Sequence, residues 1–353
     1  MLQKKIVLDC ERMKYPNTGL YHYCLQLAKA LQLVMLQNDL ETLSVFASPE
    51  AAAAIDANIT NITPAFWHKW LLPFASKFDV WHATHQSTDY FPTNTKTPIV
   101  LTIHDLNFLY DSHKDSQKKQ RYLNALQQKI DASKHIVAIS QHVKNDILQH
   151  CDVANKPISV IYNGCNISND IVPVKHTNIG SQPFLYTIGT IAEKKNFHVL
   201  PALLVDNNYQ LIISGITQSA TYKQQIIDCA KQYDVADRVV FTGAISEAEK
   251  YWYYQHCEAF VFPSIAEGFG LPVIEAMHFG KPVILSTHTS LPEIGGSHAY
   301  YFQDFAPENM RQIMFNSLAH YQQQNPQLAI KNWASQFTWQ QAAAQYLSLY
   351  RTL

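Results

Sequence analysis

The sequence predicts an α/β protein made of two doubly wound parallel sheets, and three observations carry that expectation. Short apolar runs alternate with helical patterns along the whole chain, as in parallel sheets covered by helices on both faces. At 353 residues the chain exceeds what one ordinary core organises, so two domains are expected. Between the two halves, Asn163 to Pro183 is rich in Asn, Ser, Pro and Gly and weakly periodic, which marks a linker.

In the first half, KIVLDC (Lys5 to Cys10) reads as a strand and Tyr21 to Leu36 as an apolar-periodic helix. Strand-like runs follow at LSVFA (Leu43 to Ala47), FDVWHA (Phe78 to Ala83) and PIVLTIHD (Pro98 to Asp105). The second half carries strand runs PFLYTIG, YQLIISG, RVVFTG, AFVFPS and PVILS. The expected division is residues 1–168, residues 169–335, and a C-terminal helix at 336–353 that packs back toward the first domain. Ligands of such sheets bind at the carboxyl ends of the strands.

Composition excludes several classes. A formal net charge of −1 lacks the basic excess of a nucleic-acid binder. The six cysteines (Cys10, Cys24, Cys151, Cys165, Cys229, Cys257) show no CxxC spacing and read as small core residues of a reduced cytoplasmic protein. The apolar run before Asp9 is too short for a signal peptide, and no stretch approaches the roughly eighteen apolar residues of a membrane span.

The densest chemistry lies in VFPSIAEGFGLPVIEAM, Val261 to Met277. Glu267 and Glu275 have seven residues between them, two glycines and a proline included. AFVF before them reads as a buried strand, and Pro272 suits the first turn of a helix. Gly280 suits that helix's end. The unit is strand, glycine-containing loop, helix, strand. Backbone N–H groups at the helix start attract anions, and Gly268 and Gly270 let a ligand approach the main chain. Carboxylates accept hydrogen bonds only, which suits ligand hydroxyls. Lys194 and Lys195 follow a strand ending at Gly189 and suit a phosphorylated ligand. His104 and Asp105 end another strand run, and no DxD-type acidic pair lies beside the strands of the second half.

The run FVFPSIAEGFGLPVIEAMHFGKPVILSTHTSLPEIGG resembles the donor-site segment of retaining glycosyltransferases of family 4, which have the GT-B fold. LTIHDL, IVAIS, VIYNG, LYTIGTIAEKKN, VVFTGAI and FTWQQAAAQYL extend the likeness in the same order. The resemblance implies transfer of a sugar from a nucleotide-diphosphate sugar to a glycan or glycolipid acceptor, in bacterial surface polysaccharide or lipopolysaccharide synthesis, with GDP-mannose ahead of UDP-sugars. It implies that Lys195 and Thr190 hold the diphosphate, with Lys194 a substitute for the Arg that many members carry at Thr190. Glu275 would hold the ribose hydroxyls, Glu267 the transferred sugar, and the backbone of Gly268, Phe269, Gly270 and Leu271 the sugar and phosphate. His104 would contact the sugar near its anomeric centre, beside Lys195 and Glu267 as the catalytic set. Gly19 resembles the first-domain glycine loop, with one glycine where a pair is common. His82, His85 and Asp105 would line the acceptor side, and Arg238 would lie near the base. No metal and no cofactor is expected.

Ala65 to Phe74, AFWHKWLLPF, together with the lysine-bearing stretch His113 to Lys134, leaves two readings open. One is a core helix beside a solvated one; the other is a peripheral contact at the inner face of a membrane. Competing functions are a non-catalytic sugar-nucleotide binder on the same scaffold, a sugar-nucleotide epimerase, and a phosphorylase, for which no pyridoxal-phosphate lysine is evident.

Overall fold

The computed structural model describes residues 3–353 apart from 17, 37–39, 94, 112–113, 169 and 176–179. Met1 and Leu2 before the first strand, His113 of the lysine-bearing stretch, and residues 169 and 176–179 of the expected linker lie outside the described residues. The chain divides into two compact units, residues 1–166 with 337–353, and residues 167–336.

The first unit holds strands β1 (Lys4–Asp9), β2 (Glu41–Phe46), β3 (Thr60–Ile62), β4 (Val80–Ala83), β5 (Ile99–Ile103), β6 (His135–Ala138) and β7 (Ile158–Val160). They pair in the order β3-β2-β1-β4-β5-β6-β7, all parallel. The central strands are buried on both faces, which is why they read as continuous apolar runs. β3 and β7 are three residues each and partly exposed, so no apolar run marks them. Helix Gly19–Met35 starts two residues ahead of the predicted Tyr21, because the Thr18 hydroxyl caps the Tyr21 N–H.

The closing helix, Trp339–Thr352, packs on Gly19–Met35 in this unit's core. Its polar groups form a buried chain across the sheet. Tyr23 Oη meets Tyr346 Oη at 2.8 Å, Tyr346 meets Thr102 at 2.9 Å, Thr102 meets His82 Nε2 at 2.7 Å, and His82 Nδ1 meets Tyr350 Oη at 2.6 Å. Arg351 pairs with Glu41 through two bonds of 2.6 and 3.1 Å. Gly164, the last residue of VIYNG, lets the chain pass close; a Cβ there would stand 2.2 Å from the Trp339 nitrogen.

Segment 65–74 is not a core helix. It forms a single 3-10 turn, Phe66–Lys69, and leaves Phe66, Trp67, Trp70 and Leu71 in solvent. Pro64 and Pro73 bracket the segment, and Pro73 biases the residue before it away from helical backbone. Helix Ser116–Ala132 is solvated as read, with only Leu126 and Ile130 buried.

The second unit holds β8 (Phe184–Ile188), β9 (Gln210–Ser214), β10 (Val239–Gly243), β11 (Ala259–Phe262), β12 (Val283–Ser286) and β13 (Tyr300–Phe302). Their order is β10-β9-β8-β11-β12-β13, again all parallel. All five predicted strand runs of this half are present. The six cysteines are free, with Cys10, Cys24 and Cys257 buried.

Tyr346→Phe removes the hydroxyl that partners Tyr23 and one of the two partners of Thr102 in the buried core. Urea denaturation should show the first unit weakened by about 1–3 kcal/mol; an unchanged midpoint would mean that the chain of hydroxyls does not stabilise it.

Candidate functional site

In each sheet the strand order reverses at one place, between β8 and β11 in the second unit and between β1 and β4 in the first. Crevices open at such points beyond the carboxyl ends of the strands. The loops after β8 and β11 carry Lys195 and Glu267, so topology alone delivers both to one crevice.

Lys195 Nζ donates to Glu267 Oε1 at 2.5 Å. Lys195 is 8% exposed, and its ammonium lies 4.9 Å from the Phe262 ring centroid. Burial raises the Glu267 carboxyl, but the charges of Lys195 and Lys194, with hydrogen bonds from Lys195 and Ser264, outweigh it and hold the group below its ordinary value. The lysine stem passes over Gly189, whose φ of +155° and missing side chain accommodate it; a Cβ there would lie 3.0 Å from Lys195 Cε.

The loop carrying Glu267 is tied on every side. The Glu267 N–H donates to Thr289 Oγ1, while Ser290 Oγ donates to the carbonyls of Glu267 and Phe269. Ser264 Oγ reaches Glu267 Oε1 at 2.6 Å, and the Lys194 carbonyl accepts from the Ile265 N–H. Gly270 caps helix Leu271–His278 in the left-handed region at φ 107°, with Leu291 where a Cβ would go. Pro272 is the second helical residue rather than the first. Phe269 is 3% exposed, so its side chain anchors the loop in the core. Gly268 and Leu271 are half-buried, Thr190 is half-exposed, and Lys194 is exposed.

Glu275 lies one turn into the helix and is 4% exposed. Lys250 Nζ approaches its Oε1 at 3.3 Å, and Tyr254 Oη donates to its Oε2 at 3.0 Å. Burial lowers the Lys250 ammonium, but Glu275 and Glu247 raise it further, so it stays charged. Each carboxylate oxygen retains acceptor capacity beyond the one bond it uses here. Lys250 and Tyr254 were not singled out from sequence; a helical Lys and Tyr four apart carry no sign of their partner.

Arg238, read either as near the base or equally as a surface residue, precedes β10, at the opposite end of the strands from the crevice, and its guanidinium is spent on the carbonyls of Leu204, Asn207 and Tyr209.

In the first unit His104 follows β5 and is 8% exposed. Its Nε2 lies 2.8 Å from the Thr84 carbonyl, which can only accept, so Nε2 carries the proton. Burial pushes its pKa down to about 4, which leaves a neutral ring with Nδ1 as acceptor. Gln86 receives the His104 N–H and donates to the Asp105 carbonyl, and the Asp105 carboxylate accepts from the Asn107 N–H. The His85 ring lies tilted 5.3 Å from that of His104 and bonds Ser87. Gly19 is exposed at the first position of its helix, with open space around it.

His82 does not line the acceptor side. It is 0% exposed, bonded at both nitrogens to Thr102 and Tyr350, and burial pushes it down to about 3. A period-two strand pattern shows that a histidine alternates faces, not that the face is closed by a helix arriving from the chain's end.

Two carboxylates at this mouth escaped sequence reading. Asp9, at the end of β1, is raised to about 7 by burial against hydrogen bonds from Thr88 and the Glu11 N–H. Glu11 is 7% exposed and pairs with Lys14, with Arg12 at 3.8 Å. Both lie at the β1–β4 reversal, which becomes visible only with the strand order. Among the described residues, no group of three or more His, Cys, Asp or Glu is placed to hold a metal ion.

Removing Lys250 leaves a buried, uncompensated Glu275. Lys250→Met should therefore cost the second unit about 3–5 kcal/mol in urea denaturation. Adding Glu275→Leu should recover most of it; a single variant as stable as wild type would show that the pair carries no burial penalty.

Two family models match the chain, "Glycosyltransferase Family 4" over residues 49–169 and "Glycosyl transferases group 1" over residues 169–311. O-antigen chain mannosyltransferase RfbU of Salmonella typhimurium is 26% identical over 295 residues, 77% of this chain and 79% of that one. Serotype-specific mannosyltransferase WbdA of Escherichia coli is 25% identical over 290 residues, 77% of this chain but only 34% of WbdA, so this chain spans about a third of it. Among solved structures, sucrose-phosphate synthase from Thermosynechococcus elongatus superposes with a TM-score of 0.74 at 19% identity, covering 99% of each chain. Anabaena Alr3699/HepE, in complex with UDP and glucose, gives 0.71 at 16% identity over 99% of this chain and 100% of its own. The chain belongs to glycosyltransferase family 4 and has the GT-B fold.

Proposed function

We propose that this glycosyltransferase moves a hexose-type sugar, mannose from GDP-mannose ahead of any UDP-sugar, onto a glycan or glycolipid acceptor of a bacterial surface polysaccharide. The observation that carries the reading is the largely buried Lys195–Glu267 pair at the β8–β11 crevice, with Glu275 one turn into the helix that follows the Glu267 loop. A nucleotide-diphosphate sugar offers two groups that match it, an anion for the lysine and hydroxyls for the carboxylates. Mannose is favoured because RfbU and WbdA are named mannosyltransferases. Family likeness supplies the roles of Thr190, Lys194 and the Gly268–Leu271 backbone at the diphosphate and sugar.

The proposed reaction retains anomeric configuration. The acceptor oxygen bonds the anomeric carbon on the face that the diphosphate leaves. The carbon–oxygen bond to the diphosphate breaks, and a diphosphate oxygen takes the acceptor's proton. Lys195 and the N-terminus of helix Leu271–His278 offset the charge that builds on the leaving group, a role a divalent ion fills in other enzymes. Neutral His104 presents Nδ1 as an acceptor for a sugar hydroxyl. His85 and Asp105 belong to the acceptor side, together with Asp9 and Glu11. No helix among the described residues is long and apolar enough to cross a membrane, and the proposed setting is the cytoplasmic side, where such acceptors are extended.

With GDP-mannose and an extracted glycolipid acceptor, turnover should persist in EDTA, and NMR should show an α-linked product from the α-linked donor. Lys195→Ala should lower kcat roughly 10²-fold, the cost of one preorganised charge at a leaving group. A β-linked product, or near-normal turnover in the variant, would refute the mechanism.

A further inference from the structure

Of the large apolar side chains left in solvent, four fall within six consecutive residues: Phe66 is 75% exposed, Trp67 50%, Trp70 67% and Leu71 55%. These two tryptophans are the exposed ones among the described residues. Such a cluster is costly to leave in water and unusual on a monomer surface.

The turn that bears them is rigidly held. His68, between the tryptophans, is 7% exposed and points inward, where its Nδ1 accepts the Ala65 N–H at 2.9 Å. Its ring packs on Phe46 and Phe74 at 5.8 and 5.0 Å, and these in turn lie against Trp81. Burial lowers its pKa, so the anchor is an uncharged ring. Phe66 and Trp70 meet edge to face at 4.9 Å on the outer side. The apolar side chains therefore stand on a fixed base rather than on a loose loop.

Beside the turn opens a cavity of about 450 Å³ between Trp70, Leu71, Pro73, Phe91, Pro92 and Lys96. Its lining is mainly apolar and includes the Lys96 ammonium. Lys77, also exposed, follows on the same segment, and Lys69 pairs with Asp89 at 3.0 Å. Tryptophan and phenylalanine beside lysine is the side-chain set that settles at the boundary between acyl chains and anionic headgroups. A protein partner would need a broad, complementary polar rim, whereas lysines around an apolar projection match a surface of negative headgroups over hydrocarbon.

We propose that the Phe66–Leu71 turn docks the first unit onto an anionic lipid bilayer. Phe66, Trp67, Trp70 and Leu71 enter the headgroup–acyl boundary while Lys77 and Lys96 face lipid phosphates. The lipid-linked form of the proposed acceptor gives this docking a purpose, but vesicle binding is read without donor or acceptor, so either can fail alone.

The test is co-sedimentation of the full chain with vesicles of phosphatidylcholine alone and of equal parts phosphatidylcholine and phosphatidylglycerol, across a salt series. The wild type should bind the anionic vesicles and weaken with salt. Trp67→Ser with Trp70→Ser should lower partitioning roughly tenfold or more at any salt. Lys77→Glu with Lys96→Glu should lose mainly the salt-sensitive part. Phe66→Ser with Leu71→Ser is the second apolar variant should the first fail to fold, and thermal melting checks each. No binding of the wild type to anionic vesicles at low salt, or binding unaffected by both apolar variants, overturns the proposal. So does a wild-type dimer that the tryptophan variant abolishes without any vesicle binding, since a second copy would then cover the turn.

Discussion

The ion pair between Lys195 and Glu267 is the constraint on which the second unit's site depends. Neither charge could be buried alone; together, at 2.5 Å, they let the loops after β8 and β11 close on one another. Everything around the pair follows from holding it. Gly189 clears the lysine stem, Phe262 lies beneath the ammonium, Ser264 takes part of the carboxylate, and Thr289 and Ser290 fix the backbone between the glutamate and the helix. In the proposed reaction this ion pair, at a strand-order reversal, would receive an anion that shares the lysine, and its fixed geometry would keep rearrangement on ligand capture small.

Glu275 repeats the logic at a second depth. Its charge is supported from a different helix, Glu247–His256, through Lys250 and Tyr254. The two carboxylates of the motif are thus held by separate lysines, which keeps both available as acceptors with fixed orientation. The first unit works differently. Its mouth collects buried groups whose protonation is displaced by desolvation, a neutral His104 and an Asp9 raised to about 7, above a core closed by the chain's last helix.

The strands and helices around the donor motif were legible because buried parallel strands must be apolar on both faces and glycines mark the turns. Short edge strands such as β3 and β7 were not, since edge position removes the apolar signal. Glu267, Lys195 and His104 stood out because polar residues within a few positions of the end of an apolar run mark a loop at a strand end. Their partners could not. Lys250, Ser290, Thr289 and Asp9 are ordinary in sequence and gain meaning only from which strands lie side by side. His82 shows the converse error: a polar residue in an apolar strand looked like a ligand contact, but a tyrosine more than two hundred residues away completes it as a core hydrogen bond. Composition left the aromatic stretch at 65–74 open between core and surface, and only the fold shows Phe66, Trp67, Trp70 and Leu71 exposed.

The central claim is that the β8–β11 crevice holds a nucleotide diphosphate. The most direct measurement is thermal melting of the purified chain with GDP, UDP, ADP, CMP and their sugar conjugates, with and without EDTA. A ligand at a hundredfold excess over its Kd adds about 2.7 kcal/mol to the stability of the unit that binds it. The account predicts a selective, EDTA-insensitive upward shift with one diphosphate series, GDP first, that Lys195→Ala abolishes. No shift with any nucleotide, or a shift unchanged by Lys195→Ala, would contradict it.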